Sequence, residues 1–389
     1  MTLKGGVRHW RWSVPVLLVL VLAAARVEAA PTGALPASLA ASLPVNASQR
    51  AGNQTEPTIA VNPVNPQQVA VFSNDTASVP GLFTAISSNG GRTWDRRSIF
   101  GSGSTAACCD AQATFDQFGN LFLTYLGSDR NVYLAASFDG GQTFGAALAL
   151  TSSGDADQPS VAAGPGSTNA PGNVWVSYFN GAGTAARFVP VAGLGALGAL
   201  SPEQVAPGSL GAYGDVEVGP AGQVLITYQR DGPSGAGPSQ IVVHLEGDGS
   251  GPAPFGAGVV AGETQVGTAR RSPTTSNSLG VDAEANLAWD RSGGPFSGRV
   301  YLVYTDATSV ATDDLDIYVR YSDTNGQTWS MPRRVNDDSS GNSQFLPAIA
   351  VDQTSGHVGI DWYDGRASAD NREAQLYVAI SQPGGQVWE

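Results

Sequence analysis

After the first thirty positions, the apolar residues of this chain follow a strand rhythm, with no long stretch at helical spacing. One phrase recurs: Pro-x-Ile/Val-Ala-Val-Asp/Asn, a turn, then an apolar run ending in an aromatic residue. It is clearest in Pro57-Thr-Ile-Ala-Val-Asn62 with Val69-Ala-Val-Phe72, and in Pro347-Ala-Ile-Ala-Val-Asp352 with Val358-Gly-Ile-Asp-Trp362. Weaker copies open at Ala111, Pro159, Gly214 and Ala285, and their second runs end at Tyr125, Tyr178, Tyr228 and Tyr304. The first positions lie 54, 48, 55, 71 and 62 residues apart. Each unit therefore has room for about four strands of five or six residues with their turns.

Small residues dominate the first run of each unit and bulky ones the second. Small side chains suit the crowded centre of a ring, and bulky ones suit the packing between radial sheets. The pattern predicts an all-β protein, a six-bladed β-propeller of four-stranded antiparallel blades. The 49 glycines and 24 prolines fit many short strands and tight turns.

A second phrase follows the third predicted strand of four units. Ser87-Ser-Asn-Gly-Gly-Arg-Thr-Trp94 and Ser137-Phe-Asp-Gly-Gly-Gln-Thr-Phe144 are good copies. Ser322-Asp-Thr-Asn-Gly-Gln-Thr-Trp329 and Ser381-Gln-Pro-Gly-Gly-Gln-Val-Trp388 are degraded ones. Such a turn is self-contained: side-chain oxygens satisfy turn N–H groups and glycine supplies positive φ. The phrase resembles the Asp box, Ser-x-Asp-x-Gly-x-Thr-Trp, of the sialidase-like Asp-box (BNR) repeat propellers. The Asp position holds Asn89, Asp139, Thr324 and Pro383 in turn. These boxes fall on the face opposite the mouth of the central tunnel, so they read as structural.

The ring closure is also legible. Val45-Asn46 followed by Pro57 matches Val335-Asn336 followed by Pro347 at a constant offset of 290. The chain stops at Glu389, just after the last box, so blade six lacks its own outer strand. A segment near Leu43-Pro-Val45 is expected to supply it and cover the open edge.

Residues 1–29 read as a secretory signal, with Lys4, Arg8 and Arg11 ahead of the apolar run Val14–Ala25 and a cleavage point after Ala29. A run of about a dozen residues is shorter than the ~20 that cross a bilayer. Residues 30–42 form a linker and 43–389 the propeller, in a protein expected to be secreted or periplasmic with no membrane span after cleavage. Without residues 1–29, 16 arginines face 32 acidic residues, a net charge near −16. That balance argues against nucleic acid as a partner and suits a glycan or other small polar ligand.

The position just before each phrase lies at the tunnel mouth and reads Glu56, Asp110, Gln158, Tyr213, Glu284 and Leu346 around the ring. Loops after the second strands add Asp75, Arg130, Arg230, Asp231, Asp306, Tyr363, Asp364 and Arg366. Convergent carboxylates, tyrosines and arginines at a concave centre are the groups a polar-ligand or glycosidase site uses. Asp75, Tyr213, Glu284 and Tyr363 are the candidates for chemistry, and Glu56, Asp110, Gln158, Arg130, Arg230, Asp364 and Arg366 for binding.

The resemblance to sialidases implies three arginines clamping a substrate carboxylate, a tyrosine nucleophile helped by a glutamate, and an acid/base aspartate. The first of those arginines belongs to an Arg-Ile-Pro phrase opening blade one. Here the matching stretch is Thr55-Glu56-Pro57, which puts a negative charge in its place. Arg130, Arg230 and Arg366 would form a different clamp.

Cys108-Cys109 stands beside Asp110 in the segment entering blade two, and these are the only cysteines. Two reduced, buried thiols and a strained vicinal disulfide both remain open, since adjacent Cα atoms lie about 3.8 Å apart. A bridge would form a stiff apolar plate on the ligand face. A zinc role would need a histidine that the neighbourhood lacks. No cofactor is expected. Asp313-Asp314-Asp316 and Asp337-Asp338 offer hard oxygen ligands for calcium, but at no EF-hand spacing. Asn46, Asn53 and Asn74 sit in glycosylation sequons. Two functional classes follow: a sialidase-like propeller that recognises or processes a glycan, and a non-catalytic scaffold for a protein partner.

Overall fold

The computed structural model describes residues 45–75, 81–166, 171–212, 214–233, 235, 237–249, 251, 254–267, 280–309, 312 and 314–389. Among these the secondary structure is strand and turn, arranged as a six-bladed β-propeller of small antiparallel sheets. The inner strands are Gln54–Val61, Ala107–Phe115, Asp157–Pro165, Val216–Val218, Asn286–Trp289 and Gln344–Val351. Each pairs with one of the predicted apolar runs, for example Ile59 with Val71 and Ile349 with Ile360.

Those second strands are rich in apolar residues because in blades one to five both of their faces are largely buried. Leu121, Leu123 and Tyr125 pack against Ala60, Phe72 and Ile86 of blade one. Phe122, between them in sequence, points the other way into Val174, Val176 and Tyr178 of blade three. Trp175 in turn meets Val216, Val218 and Val224 of blade four. The period of two along one strand thus welds three successive blades together. Ala60, Ala111, Ala162 and Ala285 are buried where the inner strands crowd.

Blades one, two, four and five have four strands, and in blade three the outer position is split between Ala196–Leu197 and Gln204–Val205. Blade six has three strands among the described residues, and Ile380 exchanges both backbone hydrogen bonds with Glu389, at 2.8 and 2.9 Å. Leu43 and Pro44, where the closing strand is expected, lie outside the described residues. From Val45 the chain is irregular and latches onto blade one. Ala47 is buried with Val71, Phe83 and Ala85, while Arg50 pairs with Asp75 at 2.6 Å and lies over the Phe83 ring.

Three of the four glycine turns share one geometry. The first serine hydroxyl accepts from Gly91, Gly141 or Gly326 N–H at 2.8–2.9 Å. The third residue, Asn89, Asp139 or Thr324, accepts from the N–H four residues on at 2.9 Å. Asn and Thr thus replace Asp without changing the turn. At Pro383 the pattern is lost, and Ser381 donates to Gln382 O instead.

Asp139→Ala removes an acceptor for both the N–H and the hydroxyl of Thr143. It should lower stability by about 1–2 kcal/mol in urea unfolding. Asp139→Asn should cost less than half of that, because blade one already uses Asn.

Candidate functional site at the tunnel mouth

Five of the six positions preceding the strand phrase share one uncommon backbone state. Glu56, Asp110, Gln158, Glu284 and Leu346 have φ of 50°, 56°, 48°, 44° and 52°. In blades one, two, three and six this residue sits in a register shift between the inner and second strands. A bulge of this kind turns a side chain out of the ladder's alternation. A left-handed residue other than glycine costs about 1–2 kcal/mol, and glycine would relieve it. Each blade nevertheless keeps a side chain there, in four cases Glu, Asp or Gln. Tyr213, the sixth position, lies outside the described residues.

The rim carboxylates are within electrostatic reach of one another across the ring. Asn74 ties blades one and two together, its Nδ2 donating to Glu56 Oε2 at 2.6 Å and its Oδ1 accepting from Asp110 N–H at 3.1 Å. Burial first, then the neighbouring Glu56 and Asp157, push the Asp110 carboxyl up to about 8. Glu284 is held well above the usual range by burial, then by Asp282, Glu56 and Asp215. Glu56 is thus within electrostatic reach of both Asp110 of blade two and Glu284 of blade five.

Deeper in the ring, Asp215 and Glu217 alternate with Val216 and Val218, which are buried between blades. Asp215 accepts from Ser160 Oγ of blade three at 2.5 Å and from Leu287 N–H of blade five at 2.9 Å. Burial raises it above the usual carboxylate range. Burial likewise takes Glu217 to about 8, although Arg291 pulls the other way. Arg291 leaves the far end of the blade-five inner strand and donates to Ala163 O of blade three at 2.8 Å. Asp361, on the second strand of blade six, is raised to about 7 by burial. The inner strands and the residues leading into them thus carry carboxyls held above the usual range, Asp110, Asp215, Glu217 and Glu284.

Other sequence candidates are committed elsewhere. Asp75 holds Arg50. Asp364 is buried and accepts from Trp362 Nε1 at 2.8 Å, while Arg366 spans Asp364 and Asp337 at 2.8 and 2.5 Å and lies over Tyr377. Arg230 donates to Gln240 Oε1 within its own blade. Arg130 is exposed in the turn after Gly127, and Tyr363 stacks on Phe345 at 5.9 Å. Arg130, Arg230 and Arg366 therefore sit in three separate local settings, with Arg366 held as an ion pair.

Asp316 and Asp338 are both held by Asn336 Nδ2, at 2.7 and 2.8 Å, and Asp313 lies outside the described residues. Among the described residues no three His, Cys, Asp or Glu side chains gather as a metal would need. Cys108 and Cys109 are joined by a disulfide with Cα atoms 3.8 Å apart.

Sequence reasoning passed over Asn74, Asp157, Asp215, Glu217, Asp282, Asp361 and Arg291. The period of two in Gly214-Asp-Val-Glu-Val218 was the available signal for Asp215 and Glu217.

No protein-family model matches the chain, and no curated protein matches it. Solved structures do. It is similar to the BP39L lectin from Burkholderia pseudomallei at 14% identity, covering 85% of this chain and 82% of that one, with a TM-score of 0.53. A PL25 polysaccharide lyase, an ulvan lyase, aligns at 13% identity over 85% and 79% of the two chains, with a TM-score of 0.51. A protein of unknown function from Dyadobacter fermentans aligns at 14% identity over 83% and 93%, with a TM-score of 0.50. At these identities the likeness shows the fold: this chain is a six-bladed β-propeller with a carboxyl-lined mouth.

Proposed function

We propose that the protein is an exported, sialidase-like propeller that recognises a glycan at the tunnel mouth, with Asp110 and Glu56 acting as a proton-sharing pair on the bound sugar. The observation that carries this reading is the strained rim. Five blades spend backbone energy to present a side chain at one ring position, and among those side chains Glu56 repels the charged forms of both Asp110 and Glu284. Strain and repulsion of this kind are retained where a ligand uses them. A carboxyl that keeps its proton near neutral pH can donate a hydrogen bond to a sugar hydroxyl while the carboxylate beside it accepts one. The propellers of similar fold include a lectin and a polysaccharide lyase, which supports the ligand class by analogy. Residues 1–29, read as a secretory signal, support a secreted or periplasmic location.

The mouth disfavours acidic sugars. Glu56 occupies the place where sialidases carry an arginine, and Arg366 is committed to Asp364 and Asp337. A fluorogenic sialoside should show no turnover between pH 4 and 8; measurable release would overturn this part of the reading. A glycan array is the direct test of the whole. Binding of neutral or amino sugars, lost in Glu56→Gln and Asp110→Asn, is the expected result. Failure to retain any sugar would favour the scaffold role.

A further inference from the structure

A disulfide normally stabilises a fold by shortening the loops of the unfolded chain, and the gain grows with loop length. Cys108–Cys109 joins neighbours in sequence and so closes no loop. Its contribution has to be local, in shape and in surface chemistry.

The surroundings show what that contribution is. The bridge lies at the start of the blade-two inner strand, where two register shifts follow in succession, between Ala107 and Cys109 and between Cys109 and Gln112. Cys109 rests on the apolar cluster between blades two and three, which includes Leu126 and Tyr178. Cys108 is exposed. The next residue is Asp110, left-handed and bonded through its N–H to Asn74. A rigid, polarisable, apolar surface therefore immediately precedes the rim residue Asp110, anchored on one side and open on the other.

We propose that the Cys108–Cys109 disulfide is a ligand subsite: a plate on which the apolar face of a pyranose ring packs while the hydroxyls of the same sugar reach Asp110 and Glu56. This rests on the glycan reading of the mouth and adds the orientation of the ring. Sugars with an uninterrupted C–H face, such as β-linked glucose or glucosamine units, fit such a plate. Sugars with axial hydroxyls on both faces do not. Because Cys108 is exposed, a dithiol reductant removes the plate. One of its thiolates attacks the Cys108 sulfur and displaces the Cys109 thiolate. Its second thiol then releases Cys108, leaving two protonated cysteines and an oxidised reductant.

The test uses the whole protein against an array of cello-, chito- and manno-oligosaccharides. Oxidised wild type, wild type reduced and alkylated at both cysteines, and the C108S/C109S variant are compared, with Asp110→Asn as the control for the mouth. The expected result is a tenfold or greater weakening for the alkylated protein and for C108S/C109S, with thermal unfolding kept within a few degrees. Unchanged affinity in both, with binding still lost in Asp110→Asn, overturns the plate and leaves the glycan reading standing. If oxidised wild type binds no sugar, both fall.

Discussion

Gly214→Ala should lower the unfolding midpoint by about 4 °C, a loss of about 3 kcal/mol in a chain of this size. In the other blades this position is Pro57, Ala111, Pro159, Ala285 or Pro347, so a Cβ there is ordinarily tolerated. Blade four differs because its second strand runs against the entering segment. A Cβ on Gly214 would lie 1.7 Å from Thr227 O and 2.6 Å from Thr227 C, both backbone atoms. No rotamer change relieves that contact. The strands have to separate, which breaks the bond from Thr227 N–H to Asp215 O at 2.9 Å. Asp215 would be displaced with its backbone and would let go of Ser160 and Leu287, its links to blades three and five. Differential scanning calorimetry of Gly214→Ala beside Ala111→Gly checks the claim. A shift of less than about 1 °C for Gly214→Ala would show that blade four yields easily at this point.

The same region shows what sequence alone resolves. Blade number and phase were legible because each second strand is a mainly apolar run ending in an aromatic residue, and such runs recur every 48 to 71 residues. The start of each inner strand was not. The phrase opens at Pro57 and Pro347, whereas pairing begins at Gln54 and Gln344. The rim residue lies between, and the extra residue of a bulge reverses the inside–outside alternation that a periodicity reading depends on. The split outer strand of blade three comes from two-residue pairings that carry no periodic signal.

The site divides in a similar way. Glu56, Asp110 and Glu284 were readable because a ring fold gathers one equivalent position from every blade. Asp75, Asp364 and Arg366 were chosen by residue type and loop position, and their ion-pair partners appear only in the folded chain. Arg50 is 25 residues from Asp75, and Asp337 is 29 residues from Arg366. Arg291 reaches Ala163 across 128 residues, a contact that exists only once the ring has closed. Asn74 was read as a glycosylation sequon, yet its side chain is the link between Glu56 and Asp110.

Asp110→Asn should raise thermal stability at pH 8–9 while abolishing glycan binding. The sign follows from where the proton sits. An unfolded aspartate loses its proton near pH 4, whereas in the folded ring burial, Glu56 and Asp157 hold it until about 8. Between those values the folded state binds more protons than the unfolded state, so stability falls as pH rises. Below about pH 4 both states are protonated and the residue contributes no pH dependence. Asn keeps the shape of the neutral acid and has no proton to lose. The melting temperature of wild type should therefore decline from pH 4 to 8, and that of the variant should decline less, with the gap widest at pH 8–9.

A slope will remain in the variant, because Glu284, Asp215, Glu217 and Asp361 are raised in the same direction. The diagnostic result is the combination: a more stable protein that no longer binds. A residue kept for the fold would lose stability on replacement at every pH, and that outcome would remove Asp110 from the site. A residue kept for a ligand is a standing cost to the fold, and replacing it with a neutral amide should relieve the repulsion between its ionised form and Glu56 and Asp157.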